Sequence, residues 1–528
     1  MSSRLARSAG LISIATLASR VLGVVRESVL ASYFGASTSM QMDAYNVAFR
    51  VPNLLRDLFA EGAMTAAFVP AFTRTLAARG REQAWRVGNN VINVLLLITG
   101  IFVALGIVFA GPITSLIAPE FAEVPGKLEL TADLTQLMLP FLTTVAVAVA
   151  MMGMLNSLHR FFIPSLSPAM FNIATILCVI GLVPVMIGLG LPPVTAAALG
   201  TLLGGVGQVL VQWPVLRRQG YRYRPVVDFA DPELRQVLRM MVPGTLGVAA
   251  VNINVLVNTY LASGEGQGAV SFLGYAFRLM YLPIGLFGVS IATAALPDVS
   301  RHAAAEDMGA IRRTVSSALR MMLMLNVPAM VGLIVLAEPI VAMIYQRGAF
   351  TALDTSATAA ALMFYAPGLL GYSAVKIASP TFYSLGNSRT PVIVSVSSVA
   401  VNLALNIVLV DVMGFRGLAL GTALAAIFNA TVLIWLLQVR LGGLDGWRIF
   451  VATLKIAAAS TVMGIVAIVT SGWMADALGG DSEWTRAARV FVAIAAGILA
   501  LGFSAMLFRI EEFNEAVGRV VRRLTGRR

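Results

Sequence analysis

Apolar runs as long as a membrane-crossing helix recur along the whole chain, and they limit its possible folds more than any other feature. Examples are Val91–Ala110, Phe171–Leu191, Met321–Leu336 and Val490–Phe508. A helix needs about 20 apolar residues to cross the hydrocarbon core of a bilayer. Charged residues make up only 12% of the sequence, about half their usual share in a soluble domain. We therefore predict an all-α polytopic membrane protein, since the alternating segments of a membrane β-barrel are absent from the sequence.

Hydropathy predicts about 14 transmembrane helices, and the basic residues predict their orientation. The spans are 11–33, 46–73, 88–118, 131–157, 162–188, 194–216, 236–262, 270–298, 314–337, 356–384, 391–411, 414–438, 449–471 and 487–508. Of the 38 Lys and Arg residues, 26 lie on the side that holds both termini, five lie on the opposite side and seven lie at membrane depth. Basic residues concentrate on the cytoplasmic side of membrane proteins, so both termini are predicted to be cytoplasmic.

Composition also excludes several classes of function. The net charge is +12, but the basic residues concentrate on one side of the predicted membrane, so the charge does not indicate nucleic-acid binding. The basic tail 519–528 is instead predicted to contact anionic membrane lipids. One cysteine, Cys178, and two histidines cannot form a disulfide framework or a metal centre. The sequence contains no Walker A motif and no H-E-x-x-H motif, so we predict no cofactor and disfavour an enzyme.

Short sequence matches reveal an internal repeat. AFR at 48–50 recurs at 276–278, and ALGT at 198–201 recurs at 419–422. Spans 1–6 thus repeat as spans 7–12, in the same orientation because six is even. Such parallel repeats are typical of alternating-access transporters, whose substrate site lies between the halves. We predict an N-terminal lobe (1–216), a cytoplasmic linker (217–235), a C-terminal lobe (236–440) and an extension (441–528) with spans 13 and 14 and the basic tail.

Five arginines are predicted to lie within spans, namely Arg20, Arg26, Arg50, Arg56 and Arg278. An intramembrane arginine costs a few kcal/mol or more, so it normally faces a bundle interior or a wet cavity. Arg20 and Arg26 are six residues apart, or about 9 Å along a helix axis, and both can line a broad cavity. Pro52 and Pro283 lie in the same spans, and broken helices are tolerated where they line a cavity.

These arginines have two interpretations. They could form static ion pairs with acids that are near in sequence, namely Glu27, Asp43, Asp57 and Glu61, or they could bind an anionic ligand. Five arginines face four acids, and Arg278 has no acidic neighbour in its own span. Guanidinium groups bind phosphate oxygens in a bidentate way. The excess of arginine therefore favours a phosphate- or pyrophosphate-bearing substrate.

Several strings are similar to a known family. They are SRVLGVVRE (19–27), DAYNVAFRVPNLLRDLFAEGAMTAAFVPAF (43–72), RFFIPSLSPAMFN (160–172) and AFRLMYLP (276–283). Together they closely resemble the bacterial lipid II flippase family (MurJ/MviN), part of the multidrug, oligosaccharidyl-lipid and polysaccharide exporter superfamily. The resemblance runs through essentially the whole chain. It implies a transporter in the bacterial inner membrane that moves lipid II, the undecaprenyl-pyrophosphate-linked peptidoglycan precursor, to the outer leaflet.

The resemblance also implies roles for individual residues. Matched by motif, the substrate-binding residues are Arg20, Arg26, Arg56 and Arg278, and Asp43 and Glu61 match acids of the outer gate and the second helix. We predict a wider set of cavity or gate charges, namely Glu27, Asp43, Arg50, Asp57, Glu61 and Lys376. Spans 13 and 14 are expected to hold the polyprenyl tail in a groove. The implied partners are lipid II and membrane lipids, and contact with the cell-wall synthesis machinery stays open.

The sequence departs from the family pattern at two places. Phe277 and Tyr281 occupy positions beside Arg278 where members often have acids, which puts charge pairs at that helix in doubt. Where some members bind sodium through two carboxylates, the matched positions are Asn258 and Asn406, with Asn402 and Thr422 nearby. Amide oxygens are neutral, so we predict a weak sodium site or none; the simpler interpretation of these asparagines is hydrogen bonding between helices.

Two other functions remain open from the sequence. The first is a related exporter of another polyprenyl-linked saccharide or of cationic drugs. In a drug exporter, acids should dominate the cavity. The second is an enzyme or a scaffold that does not transport.

Overall fold

We describe the protein from a computed structural model. It describes residues 2–58, 62–480 and 482–514, and the side chains of these residues except at 2–14, 62–63, 65–66 and 242–251. The described residues are mainly helical, with no β-strand among them, which confirms the predicted all-α class. By packing, the chain divides into two compact units: Met1–Ser271 with Arg347–Thr351, and Phe272–Gln346 with Ala352–Arg528.

The first unit contains nine helices among its described residues. They are α1 (Ser2–Phe34), α2 (Gln41–Arg56), α3 (Gly62–Val108), α4 (Ala110–Ile117), α5 (Lys127–Met138), α6 (Phe141–Ser157), α7 (Phe162–Gly188), α8 (Thr195–Arg218) and α9 (Pro232–Ser263). A 3-10 turn (Pro119–Glu123) precedes α5. Gly80 interrupts α3 with a φ of 79° and a ψ of 179°. Such a positive φ favours glycine, so the backbone leaves the helical path there.

Glycines allow close packing between α7 and α8. A Cβ atom at Gly200 would lie 2.7 Å from the Cα of Thr175, and one at Gly204 would lie 2.8 Å from the Cα of Phe171. The two glycines form a G-x-x-x-G sequence, and small residues at this spacing let membrane helices approach closely. This contact fixes the position of Phe171, which contributes to the candidate site described below.

The second unit contains the remaining helices. They are α10 (Ala269–Pro283, whose first three residues belong to the first unit), α11 (Val289–Ala304), α12 (Met308–Val335), α13 (Ala337–Tyr345), α14 (Ala352–Tyr365), α15 (Gly368–Ser384), α16 (Arg389–Met413), α17 (Phe415–Arg440), α18 (Gly446–Leu478) and α19 (Glu483–Leu507). A π-helical turn (Ile284–Gly288) joins α10 to α11. It directly follows Pro283, because proline cannot donate the backbone hydrogen bond that a regular helix needs.

Ten helices in the described residues are long and apolar enough to cross a membrane, or 11 if the bent pair α14 and α15 counts as one span. Three predicted spans are not among these, namely 11–33, 46–73 and 236–262. They fall on α1, on α2 with the start of α3, and on α9. Arginines reduce the apolar character of α1 and α2, and α2 is only 16 residues long. Part of α9 lies outside the described side chains.

The predicted linker is held against α3 by three asparagines. Asn89 Nδ2 donates to the carbonyl oxygen of Arg222 at 3.0 Å, and Asn93 Nδ2 donates to the carbonyl oxygen of Arg224 at 2.9 Å. Asn90 donates to the carbonyl oxygen of Asp228 at 2.9 Å and accepts from its amide at 2.8 Å. Paired amide contacts of this kind substitute for regular secondary structure. The segment is therefore an ordered part of the first unit.

Two tyrosines of the linker complete this network. Tyr221 Oη donates to Asn89 Oδ1 at 2.7 Å, and Tyr223 Oη donates to Asn93 Oδ1 at 2.6 Å. Tyr221 is buried against Trp85 and Trp213. Burial raises the pKa of the Tyr221 phenol, and the neighbouring Tyr223 raises this pKa further. Tyr221 therefore stays protonated, and remains a donor, at neutral pH.

We expect Asn93→Ala to release the linker. The substitution removes two amide hydrogen bonds and the acceptor of Tyr223, and a lost set of this kind is worth about 1–3 kcal/mol. In detergent-solubilised protein, trypsin should therefore cut after Arg222 about tenfold faster or more. Cleavage after Arg224 is blocked by Pro225 in both proteins. Cleavage after Arg79 and Arg81, which flank the break in α3 at Gly80, is the internal control. Equal cleavage after Arg222 in both proteins would show that the asparagines do not hold the linker.

Candidate functional site

Arg26, on α1, is more deeply buried than Arg56, the other predicted substrate arginine of the first unit that forms an ion pair. Its side chain is 13% exposed, and its guanidinium lies over the Phe171 ring, with Cζ 4.6 Å from the ring centroid. One terminal nitrogen pairs with the buried Glu27 carboxylate. The Nε atom is buried and has no hydrogen-bond partner within the described residues. Arg26 therefore keeps a donor for which the described residues supply no acceptor.

Arg56 borders a cavity inside the first unit. The cavity has a volume of ≈ 300 Å³ and is lined by Arg56, Val145, Ala148, Val149, Met152, Ser167, Pro168, Phe171, Gln208 and Gln212. Phe171 connects the two arginines, because it lines this cavity and also lies under the Arg26 guanidinium. Arg56 pairs with Asp57 at 3.0 Å, and each side chain is about a quarter exposed.

Static ion pairs with neighbouring acids, the first of the two interpretations, are present at two of the arginines. Arg26 and Arg56 each contact the acid that follows them in sequence. A guanidinium has five N–H donors, so one carboxylate contact does not saturate it. A cavity wall with such groups can accept an anion, most readily one with several oxygens, such as a phosphate.

The other predicted residues of α1 and α2 have varied surroundings. Arg20 is exposed, and nearby Asn172 Nδ2 donates to the carbonyl oxygen of Ser19 at 3.1 Å, which joins α7 to α1. Arg50 is half-buried on α2. Glu61 lies outside the described residues.

Asp43 is fully buried at the start of α10. Its Oδ2 accepts from Lys127 Nζ at 3.0 Å and from the Gly268 amide at 2.8 Å. Its Oδ1 accepts from the Ser271 amide at 3.0 Å and from Ser271 Oγ at 2.7 Å. Carboxylates are stabilised at helix N-termini, where backbone amides have no partner in the helix. Asp43 thus connects α2 to α5 and to the first residues of α10.

Lys127 is a functional candidate that the sequence did not indicate. It falls between the predicted spans 88–118 and 131–157, where an exposed loop residue is expected, whereas its side chain is only 2% exposed and its Nζ lies 3.9 Å from the centroid of the Phe121 ring. Its partner Asp43 is 84 residues away in sequence. No local pattern could have joined the two.

In the second unit, Arg278 is half-buried on α10 beside an aromatic cluster. Phe277 stacks on Tyr281 with a centroid distance of 5.9 Å, and it also contacts Tyr365 and Tyr372. Phe277 and Tyr281, which replace the acids that family members often have beside this arginine, are therefore part of one aromatic surface. Lys376, on α15, is exposed.

The asparagines at the predicted degenerate sodium site contact each other. Asn406 Nδ2 donates to Asn402 Oδ1 at 3.0 Å, and Asn402 Nδ2 lies 3.5 Å from Thr422 Oγ1. Asn258 lies on α9 in the first unit. Within the described part of the chain, no three His, Cys, Asp or Glu residues lie close enough to hold a metal ion.

The helices define a class, which is that of polytopic helical membrane proteins. The fold is similar to that of an inward-facing multidrug MATE transporter of the MOP superfamily, which is 18% identical, with a TM-score of 0.67 over 81% of this chain and 96% of that chain. A structure of a lipid II flippase MurJ in an inward closed conformation is more similar. It is 27% identical, with a TM-score of 0.76 over 94% of this chain and 99% of that chain.

Sequence comparisons identify the family. The family model "Lipid II flippase MurJ" matches residues 30–483. A probable lipid II flippase MurJ of Vibrio cholerae is 33% identical over 440 residues, covering 82% of this chain and 83% of that protein. The lipid II flippase MurJ of Burkholderia cenocepacia is 32% identical over 459 residues, covering 85% of this chain and 87% of that protein. The chain therefore belongs to the lipid II flippase MurJ family, and it is a multi-pass protein of the bacterial inner membrane.

Proposed function

We propose that this protein is a lipid II flippase, a transporter rather than an enzyme. It moves the undecaprenyl-pyrophosphate-linked peptidoglycan precursor from the inner to the outer leaflet by alternating access. Family membership supports the substrate class. The observation that carries the proposal is the position of Arg26 and Arg56 around Phe171 at one cavity, with the Arg26 Nε donor unused.

In this proposal, Arg20, Arg26, Arg56 and Arg278 bind the diphosphate of the substrate. The diphosphate competes with Glu27 and Asp57 for the guanidinium groups and adds oxygens that these acids cannot supply. Such charge-assisted hydrogen bonds are stronger in a cavity of low dielectric constant than in water. Asp43, Arg50, Glu61 and Lys376 act as gate or cavity charges, and the polyprenyl tail stays in lipid along α18 and α19.

We further propose 14 spans with both termini in the cytoplasm, built as two repeats with the lobe boundaries predicted from the sequence. Matching helix lengths support this layout. α6 and α15 are both 17 residues long, and they begin at residues 141 and 368. The short helices α4 and α13 begin at residues 110 and 337. Both pairs are separated by 227 residues, which is close to the 228-residue spacing of the AFR match.

Two further features belong to this proposal. Neutral amides at Asn258, Asn402 and Asn406 favour a mechanism without a strong sodium site, because an amide oxygen lacks the charge that attracts the ion. The product of flipping is the substrate of cell-wall synthesis at the outer leaflet, which supports contact with that machinery.

An exporter of another polyprenyl-linked saccharide or of drugs is the alternative. The shared fold with MATE transporters favours it. A cavity for cationic drugs should present unpaired acids, whereas here Glu27 and Asp57 each pair with an arginine. The arginines therefore favour an anionic substrate.

The test is replacement of the resident flippase. Bacterial cells depleted of their own lipid II flippase should resume growth and keep their shape when this protein is expressed, and labelled lipid II should become accessible at the outer leaflet. Membrane insertion is checked by immunoblotting. Lysis of the depleted cells despite normal insertion would contradict the lipid II assignment.

A further inference from the structure

A second cationic cavity lies in the second unit, where α12 and α18 meet the segment that follows α19. It has a volume of ≈ 200 Å³ and is lined by Arg320, Trp447, Arg448, Val451, Ala452, Lys455, Arg509, Ile510, Glu511 and Glu512. None of these residues belongs to the arginine set of the proposed transport site. The cavity therefore needs its own explanation.

Two of the four cations in this cavity are already neutralised. Arg320 Nε pairs with Glu512 at 2.5 Å, and both side chains are largely buried. Arg448 pairs with Glu511 at 3.3 Å, but both of these side chains are about two-thirds exposed. An exposed pair of this kind is weak and readily exchanged.

The other two cations have no acidic partner within the described residues. Lys455 is half-buried on α18, and Arg509 is exposed directly after α19. Arg509 has a φ of 50°, a left-handed conformation that favours glycine at the end of a helix. The cavity wall thus carries two unpaired positive charges, one of them at a position where helix-end geometry alone would favour glycine.

The surroundings indicate the level of lipid headgroups. Trp447 is 76% exposed at the mouth of the cavity, and Phe450 stacks on it. Further along α18 and α19, Leu454, Ile465, Leu499 and Phe503 are exposed, as expected of helices that face acyl chains. Tryptophan concentrates where the hydrocarbon meets water, and a lysine near a helix end extends its ammonium to that level.

We propose that this cavity binds the phosphate group of a membrane lipid, whose chains lie along α18 and α19. Lys455 and Arg509 supply the positive charge, Arg448 joins them when Glu511 exchanges, and Trp447 contacts the lipid at the interface. The phosphate belongs either to an anionic glycerophospholipid or to a polyprenyl diphosphate lipid. Both present phosphate oxygens at this level, and the cavity chemistry is common to both.

The test measures lipid binding to the delipidated full-length protein in detergent micelles by native mass spectrometry. The probes are phosphatidylglycerol, phosphatidylcholine, undecaprenyl diphosphate and inorganic phosphate. The variant is Lys455→Gln with Arg509→Gln, and the matched control is Arg301→Gln with Arg313→Gln, which removes the same charge from exposed positions outside the cavity. We expect the cavity variant alone to lose about tenfold or more in affinity for one lipid molecule.

The probes distinguish the sources of the phosphate. Stronger loss for phosphatidylglycerol identifies a resident phospholipid, and stronger loss for undecaprenyl diphosphate identifies a polyprenyl lipid; either result supports the site. Equal lipid binding by the Lys455→Gln/Arg509→Gln variant and the Arg301→Gln/Arg313→Gln control would overturn the proposed site. Binding of inorganic phosphate as tight as that of the lipids would overturn it as well. Lys455→Arg with Arg509→Lys keeps the charge and should keep the binding, which controls for misfolding. The assay does not measure translocation, so its failure would leave the proposed flippase function intact.

Discussion

Replacing Arg26 and Glu27 together by glutamine leaves a folded protein that moves lipid II at least about 100-fold more slowly. The reason is that Arg26 offers the proposed diphosphate an unused Nε donor beside a cavity. A charge-assisted hydrogen bond contributes about 1.5–3 kcal/mol, so loss of a two-point contact corresponds to about 100-fold or more. The readouts are lipid II translocation in proteoliposomes and the thermal unfolding midpoint.

The double substitution is needed because the single change has two effects. Arg26→Gln alone leaves the buried Glu27 carboxylate without this guanidinium, and breaking a buried pair costs about 3–5 kcal/mol. Loss of transport in that variant could therefore reflect unfolding. In the double variant both partners become neutral, so stability should recover while transport does not.

Controls separate the two roles further. Arg26→Lys keeps the charge but lacks the planar fork, so intermediate transport is expected. Asp298→Asn with Arg301→Gln removes an ion pair at exposed positions on α11 and should transport normally. Normal transport by the Arg26→Gln/Glu27→Gln variant would remove Arg26 from the substrate site.

The long apolar helices were largely predictable because each is specified by its own sequence. The predicted span 162–188 coincides with α7, and 194–216 lies within two residues of α8. Breaks were harder to predict. The predicted span 88–118 is divided at Phe109, which has a φ of −100° and a ψ of 15°. The local signal is Gly111-Pro112 in the first turn of α4, because proline is tolerated in the first turn of a helix but not in its interior. Hydropathy alone runs through this break, so the span prediction missed it.

Contacts between distant residues could not be predicted from one sequence. The pattern of α3 shows Asn89 and Asn93 as polar residues near the end of an apolar run, yet their partners are more than 130 residues away. The charge pattern predicted 217–235 as a polar linker, but it gave no sign that asparagines of α3 hold this segment. Likewise, Arg26 and Phe171 lie on α1 and α7, 145 residues apart in the sequence, and no local pattern joins them.

Asp43→Asn should destabilise the protein by about 3–5 kcal/mol, more than Lys127→Met does. Removing the carboxylate leaves the Lys127 ammonium 2% exposed, with the Phe121 ring and a weaker amide acceptor. A buried charge that loses its partner carries a cost of this size. Removing the ammonium instead leaves Asp43 with three donors, namely the amides of Gly268 and Ser271 and the Ser271 hydroxyl. That loss should cost about 1–3 kcal/mol.

A double-mutant cycle checks this asymmetry. Unfolding in detergent is followed for wild type, Asp43→Asn, Lys127→Met and the double variant. In the double variant both charges of this buried pair are removed. The double variant should be more stable than Asp43→Asn alone, because the unpaired ammonium is gone. Lys376→Met, at an exposed position, controls for loss of a lysine charge. If Asp43→Asn and the double variant were equally stable, the ion pair would not hold α2 and α5 together at the start of α10.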